Sequence, residues 1–82
     1  MNKISWTVKA LRQLDKIDRR YVKNIKQRVD ELKDFPDVSA DIKKIENWYR
    51  LRVGNYRVFF NFDGAIHIVS IQEVKKRDEN TY

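Results

Sequence analysis

Trp48-Tyr49-Arg50-Leu51-Arg52-Val53-Gly54-Asn55-Tyr56-Arg57-Val58-Phe59-Phe60 reads as two strands joined by a turn. Tyr49, Leu51 and Val53 alternate with Arg50 and Arg52, a period of two that gives a strand one apolar face and one cationic face. Gly54-Asn55 supplies two residues that tolerate positive φ, so the chain can reverse in a short hairpin. Beyond it Tyr56, Val58, Phe60 and Phe62 alternate with Arg57, Phe59 and Asn61. A regular register therefore puts Arg57 on the same face as Arg50 and Arg52. Guanidiniums are planar, permanently charged and bind phosphate bidentately, so such a face suits a phosphodiester backbone. Arginines on an open sheet face also serve solubility alone, and alternation by itself leaves both readings standing.

Working outward, the N-terminal half carries helical rather than strand periodicity after a short start. Ile4, Trp6 and Val8 alternate with Lys3, Ser5 and Thr7, a weak strand expected at a sheet edge. From a Thr7 cap, Val8, Leu11 and Leu14, with Ala10, Leu14 and Ile17, form the stripe of an amphipathic helix. Asp18 is a suitable N-cap for a second helix with Tyr21, Val22, Ile25, Val29 and Leu32 on one face, ended by Pro36. Its other face carries Arg19, Arg20, Lys23, Lys26, Gln27 and Arg28, a surface able to lie on RNA or simply to be solvated. Residues Asp37 to Glu46 read as a polar connector in which Ile42 and Ile45 dock on the core or begin the central strand. Past the hairpin, Asn61-Phe62-Asp63-Gly64 contains an Asp-Gly turn signal. Residues 65–74 read as a last strand, apolar on both phases at Ile66, Ile68, Val69 and Ile71 and so expected to be covered on both sides. His67 falls in that strand, between two isoleucines, and is expected to be structural rather than a general base. Trp48 is either a stacking ring or a core-rim tryptophan, and Phe59, beside Arg57 on the arginine face, is the better base-stacking candidate.

The 82 residues allow one small domain whose modest core leaves room for a partner to add stability. Eighteen Lys and Arg against twelve Asp and Glu give a net charge of +6, which favours an acidic partner: nucleic acid, an anionic membrane surface or an acidic protein segment. Without cysteine there is neither a disulfide framework nor a thiolate metal site, and a single histidine disfavours a zinc centre, so no metal or cofactor is expected. No apolar run reaches a membrane span and the N-terminus lacks a signal-peptide pattern, which points to the cytoplasm.

The order Tyr49-Arg50-Leu51-Arg52-Val53, turn, Tyr56-Arg57-Val58-Phe59-Phe60, Asp63-Gly64 turn, apolar strand and Lys75-Lys76-Arg77-Asp78-Glu79-Asn80-Thr81-Tyr82 resembles the RelE/ParE superfamily of bacterial toxin-antitoxin toxins, the RelE-type branch above all. The resemblance covers nearly the whole chain. It implies an α+β domain over 1–82, with two N-terminal helices packed on one face of a small antiparallel twisted sheet built from roughly 3–7, 48–53, 56–62 and 65–74. It also implies a ribosome-dependent endoribonuclease that cuts mRNA in the A site. A cognate antitoxin would neutralise the toxin, and the pair would bind operator DNA through the antitoxin. Carried over by position, the catalytic residues fall on Arg50, Arg52, Arg57, Arg77 and Tyr82, with Lys75, Lys76, Phe59 and Arg28 in the RNA-binding set. The family's best-known members have lysines where Arg50 and Arg52 stand. A guanidinium does not deprotonate, so no general-base role passes to these two positions. The spacing from Arg77 to Tyr82 is also about one residue shorter than the family's, which leaves Lys76 as the alternative tail cation. Two other function classes stand beside the ribonuclease: a ParE-like gyrase inhibitor acting without catalysis, and a non-catalytic RNA-binding module.

Overall fold

The computed structural model describes residues 1–77. Strand β1 (Lys3–Trp6) leads into helix α1 (Val8–Asp15) and helix α2 (Arg19–Asp30), which a 3₁₀ turn at Glu31–Asp34 extends. Strands β2 (Ile42–Ile45), β3 (Trp48–Val53), β4 (Tyr56–Asp63) and β5 (Ile68–Lys76) follow, and the five strands form one sheet in the order β1-β5-β4-β3-β2. The expected α+β architecture is present, with two differences in the sheet. Residues Ile42–Ile45 are a separate edge strand, paired antiparallel with β3 from Ile42 opposite Leu51 to Ile45 opposite Trp48. And β1, though at an edge as expected, runs parallel to β5, because two helices intervene before the chain returns to the sheet.

The helices form where local chemistry supports them. The Thr7 hydroxyl accepts from the Ala10 amide at 3.0 Å and the Asp18 carboxylate accepts from the Arg20 amide at 2.9 Å, so both N-caps are those the sequence suggested. Ala10 and Leu14 of α1, and Ile25 and Val29 of α2, enter the core with Leu32. The other apolar row of α1 does not. Val8 is 65% and Leu11 45% exposed, because α1 buries the Ala10–Leu14–Ile17 side and the two rows lie on different flanks of an eight-residue helix.

On the sheet, alternation decides what is covered. Leu51, Val53, Tyr56, Val58 and Phe60 of the hairpin are buried beneath the helices. Phe35 packs edge-on against Tyr49, Phe60 and Phe62 at centroid distances of 4.9, 5.3 and 5.0 Å. The β4–β5 pairing slips between Phe59 and Phe60, where Glu73 and then Ile71 are the partners, so Gln72 is the extra residue of a β-bulge. Ile71 and Val74 therefore both face the core although three residues apart. Strand β5 is not covered on both sides, contrary to expectation. It begins at Ile68, and residues 64–67 are the turn, with Ile66 62% exposed and His67 at φ 54°. His67 is thus a loop residue, at the opposite end of the β4–β5 hairpin from Arg57.

Candidate functional site

Cross-strand register assembles the cationic face. Gly54 at φ 57° and Asn55 close the β3–β4 hairpin with Val53 opposite Tyr56. Arg52 then lies directly opposite Arg57, and Arg50 opposite Phe59. On the next strand Lys75 is opposite Arg57 and Glu73 opposite Phe59. Directly opposite residues have Cβ atoms about 5 Å apart, so Arg52, Arg57 and Lys75 form a row across three strands, with Arg50, Phe59 and Glu73 as the row beside it. Both rows lie on the phase facing away from the helices. Arg50 and Arg57 are half-buried, Arg52 and Lys75 exposed.

The remaining expected site residues divide. The Arg77 amide donates to the Asn55 carbonyl at 2.6 Å, so Arg77 is held beside the hairpin turn, and the two-residue spacing Glu73, Lys75, Arg77 continues the open phase. Lys76 is opposite Tyr56, on the covered phase, and lines a groove with Gln13, Lys16, Ile17, Arg20 and Tyr21. Alternation therefore separates Lys76 from the arginines and leaves Arg77 as the tail cation on their side. Arg28 pairs with Glu31 at 3.4 Å and shares an open cleft with Arg52, Ser39 and Asp41, a meeting of α2 with the sheet that sequence spacing does not reveal. Tyr82 lies outside the described residues.

Two residues, one on this face and one at the edge of β5, escaped the sequence reading. Glu73 is a carboxylate among the cations, its side chain 18% exposed and paired with Lys9 of α1 and with Lys75 at 3.7 Å. Its hydrogen bond to Lys9 holds its pKa below the ordinary carboxylate value against the opposing effect of burial. The Glu73-x-Lys75-x-Arg77 spacing carried that signal. Gln13 is the other. Past the end of β1, α1 runs along the freed edge of β5, where the Gln13 side-chain oxygen accepts from the Val74 amide at 2.6 Å and the Thr7 hydroxyl donates to the Gln72 carbonyl at 3.2 Å. The edge that would otherwise invite another strand is satisfied by helix side chains.

A small sheet thus carries two helices on one face and, on the other, Arg52 set opposite Arg57, and this fold recurs in known proteins. The family described as ParE toxin of type II toxin-antitoxin system, parDE matches residues 4–81. The chain belongs to the RelE/ParE superfamily of type II toxin-antitoxin toxins. Toxin RelE3 of Methanocaldococcus jannaschii is 37% identical over 60 residues, which cover 70% of this toxin and 68% of that one. Among solved structures, the archaeal RelE–RelB complex from Pyrococcus horikoshii superposes with a TM-score of 0.83 at 20% identity, over 95% of this toxin and 97% of that chain. The RelB–RelE antitoxin-toxin complex from Methanococcus jannaschii gives 0.73 at 26% identity, over 88% of each chain. Among the described residues no helix of the toxin is long and apolar enough to cross a membrane.

Proposed function

We propose that this toxin is a ribosome-dependent endoribonuclease that cuts mRNA in the ribosomal A site. The observation that carries the reading is Arg52 directly opposite Arg57, with Lys75 continuing the row, on the uncovered face. Like charges directly opposite destabilise a sheet, and solubility alone gives no reason to place them so. A bound phosphodiester does. In cleavage the 2′-oxygen attacks the adjacent phosphorus while the bond to the 5′-oxygen breaks, leaving a 2′,3′-cyclic phosphate and a 5′-hydroxyl. Arg50, Arg52 and Arg57 would clamp the phosphate and stabilise the charge on the phosphorane. Tyr82 would take or orient the 2′-hydroxyl proton. A free phenol titrates near about 10, so this role requires neighbouring cations. Arg77 would stabilise the departing oxygen electrostatically, because a guanidinium is too weak an acid to release its proton. An acid-base set this weak fits an enzyme that relies on the ribosome to orient its substrate. Lys75, Phe59 and Arg28 would contact the RNA.

The structural neighbours solved with RelB antitoxins support a cognate antitoxin for this toxin, its acidic, amphipathic segment complementary to the net charge of +6. The complex would bind operator DNA through the antitoxin, and the toxin would act in the cytoplasm. The ParE description of the matching family favours one second reading, inhibition of DNA gyrase by protein contact without catalysis. Primer extension on mRNA under translation, run beside a gyrase supercoiling assay, separates the two. Cuts within A-site codons with supercoiling intact are expected; loss of supercoiling without cuts selects the second reading, and RNA binding with neither leaves a non-catalytic module. Tyr82→Phe is expected to lower the single-turnover rate far more than ribosome binding. A wild-type rate removes Tyr82 from the chemistry.

A further inference from the structure

Beside the cationic row the open face holds a depression that phosphate chemistry does not use. Ile45, Glu46, Trp48, Phe59, Glu73 and Lys75 line it. Trp48 precedes Arg50 by two residues and so shares its phase, and Phe59 lies opposite Arg50, so the two rings come from adjacent strands on the uncovered side. Both are half-buried, with no described helix over them, whereas the rings on the covered side pack against one another. Aromatic rings on an open antiparallel sheet, next to cations, form a stacking platform for unpaired bases. The Lys75 ammonium stands 5.9 Å from the Phe59 centroid, a loose contact on an exposed, flexible side chain that can move to a phosphate as a base arrives.

The polar lining selects among bases. Glu73 is held ionised by its two lysines, and an ionised carboxylate accepts hydrogen bonds but donates none. Glu46 stands at φ 55° in the two-residue turn between Ile45 and Trp48, a left-handed position that glycine occupies with less strain. A carboxylate is thus kept at the mouth of the depression although the backbone favours another residue there. An exocyclic amino group offers such acceptors a donor. Uracil instead presents carbonyl oxygens on both sides of its single N–H, and these face the carboxylates with like partial charge.

We propose that the depression between Trp48 and Phe59 is a subsite for one unpaired nucleobase bearing an exocyclic amino group, which stacks on the rings and donates to Glu73 or Glu46. The proposal rests on reading the arginine face as an RNA surface and adds a base preference to it. Phe59 is two residues along β4 from Arg57, roughly 6.6 Å, so a base in the subsite and a phosphate on Arg57 fit neighbouring positions of one strand.

Cytosine and uracil have one shape and differ at C4, amino against carbonyl, which makes them the probes. Short oligo(C) and oligo(U) ribonucleotides are titrated into the intact toxin at one salt concentration, with binding read by quenching of Trp48 fluorescence and Trp48→Phe reporting the contribution of Trp6. Oligo(C) is expected to bind about tenfold more tightly than oligo(U), the low end of what a base-edge contact discriminates. Glu73→Gln combined with Glu46→Gln should bring the two within about twofold, since an amide both donates and accepts. Phe59→Leu, which keeps an apolar side chain and removes the ring, should weaken both by about tenfold. Glu46→Gly should raise the melting temperature while reducing the preference, a pairing that a purely structural Glu46 would not give. Equal binding of oligo(C) and oligo(U) by the wild type, or unchanged binding by Phe59→Leu, overturns the subsite. Primer extension keeps the two proposals separate: A-site cuts without a base preference in binding overturn the subsite alone, and a base preference without cuts overturns the ribonuclease alone.

Discussion

The two faces of the β3–β4 hairpin are built from the same thirteen-residue stretch and obey opposite rules. On the covered face Leu51, Val53, Val58 and Phe60 are each no more than 4% exposed and belong to one core with Ala10 and Leu14 of α1 and Ile25 and Val29 of α2. On the open face strand register sets Arg52 directly opposite Arg57 and Arg50 opposite Phe59, so two like charges face one another. The first face gains stability from burial. The second gives some up where Arg52 and Arg57 repel, and under the proposed function that arrangement would serve to bind a phosphate. Because neighbours along a strand point to opposite sides, the rigid packing of one face positions every guanidinium on the other.

Breaking the covered face should have the largest effect. Phe60→Ala removes a fully buried ring stacked on Tyr49 at 5.3 Å and is expected to cost roughly 3 to 5 kcal/mol, enough in so small a domain to abolish a cooperative melting transition by circular dichroism. Breaking the open face should separate activity from stability. Arg52→Ala or Arg57→Ala is expected to lower the single-turnover A-site cleavage rate by roughly 3 kcal/mol of transition-state stabilisation, about a hundredfold. For Arg52→Ala the denaturant midpoint should stay the same or rise, because the like charge directly opposite Arg57 is removed. A fall in midpoint as large as that of Phe60→Ala would assign the arginines to the fold instead.

The covered face also depends on polar contacts at its end. Asn2 is 6% exposed and its side-chain amide donates to the Leu32 carbonyl at 3.2 Å and the Phe35 carbonyl at 2.7 Å, tying β1 to the segment that delivers Phe35 to the core. Asn2→Ala should cost roughly 1 to 3 kcal/mol by chemical denaturation without changing cleavage per folded molecule. The smallest effect belongs to the open face and depends on pH. The folded-state pKa of Glu73 is lowered, chiefly by its hydrogen bond to Lys9, so its contribution to stability is complete above the ordinary glutamate value of the unfolded chain and is lost as pH falls through the lower folded value. Glu73→Gln should therefore show a melting temperature that falls less on acidification from neutral pH than that of the wild type, and a slightly lower one at neutral pH.

Both the core side and the arginine side of β3 and β4 were legible in the sequence, as were the caps at Thr7 and Asp18. What was misread lay where local pattern is ambiguous. Three consecutive turn residues, 65–67, resembled strand because Ile66 is apolar, and the Val8–Leu11 row resembled a buried stripe because an eight-residue helix carries two overlapping rows at helical spacing. Neither the bulge at Gln72 nor the separate strand Ile42–Ile45 has a local signature in this chain.

The sequence by itself determined which residues share a face, since alternation, turn chemistry and capping act between residues a few positions apart. Tertiary structure alone decided which faces meet. The pairing of β1 with β5, the Asn2 contacts to residues 30 and 33 positions away, the Gln13 bond to Val74 across 61 positions, and the approach of Lys9 to Glu73 and of Arg28 to Arg52 are all of this kind. Such contacts form only after the intervening chain has closed, so their energy depends on the whole packing and leaves no periodicity between the partners to read.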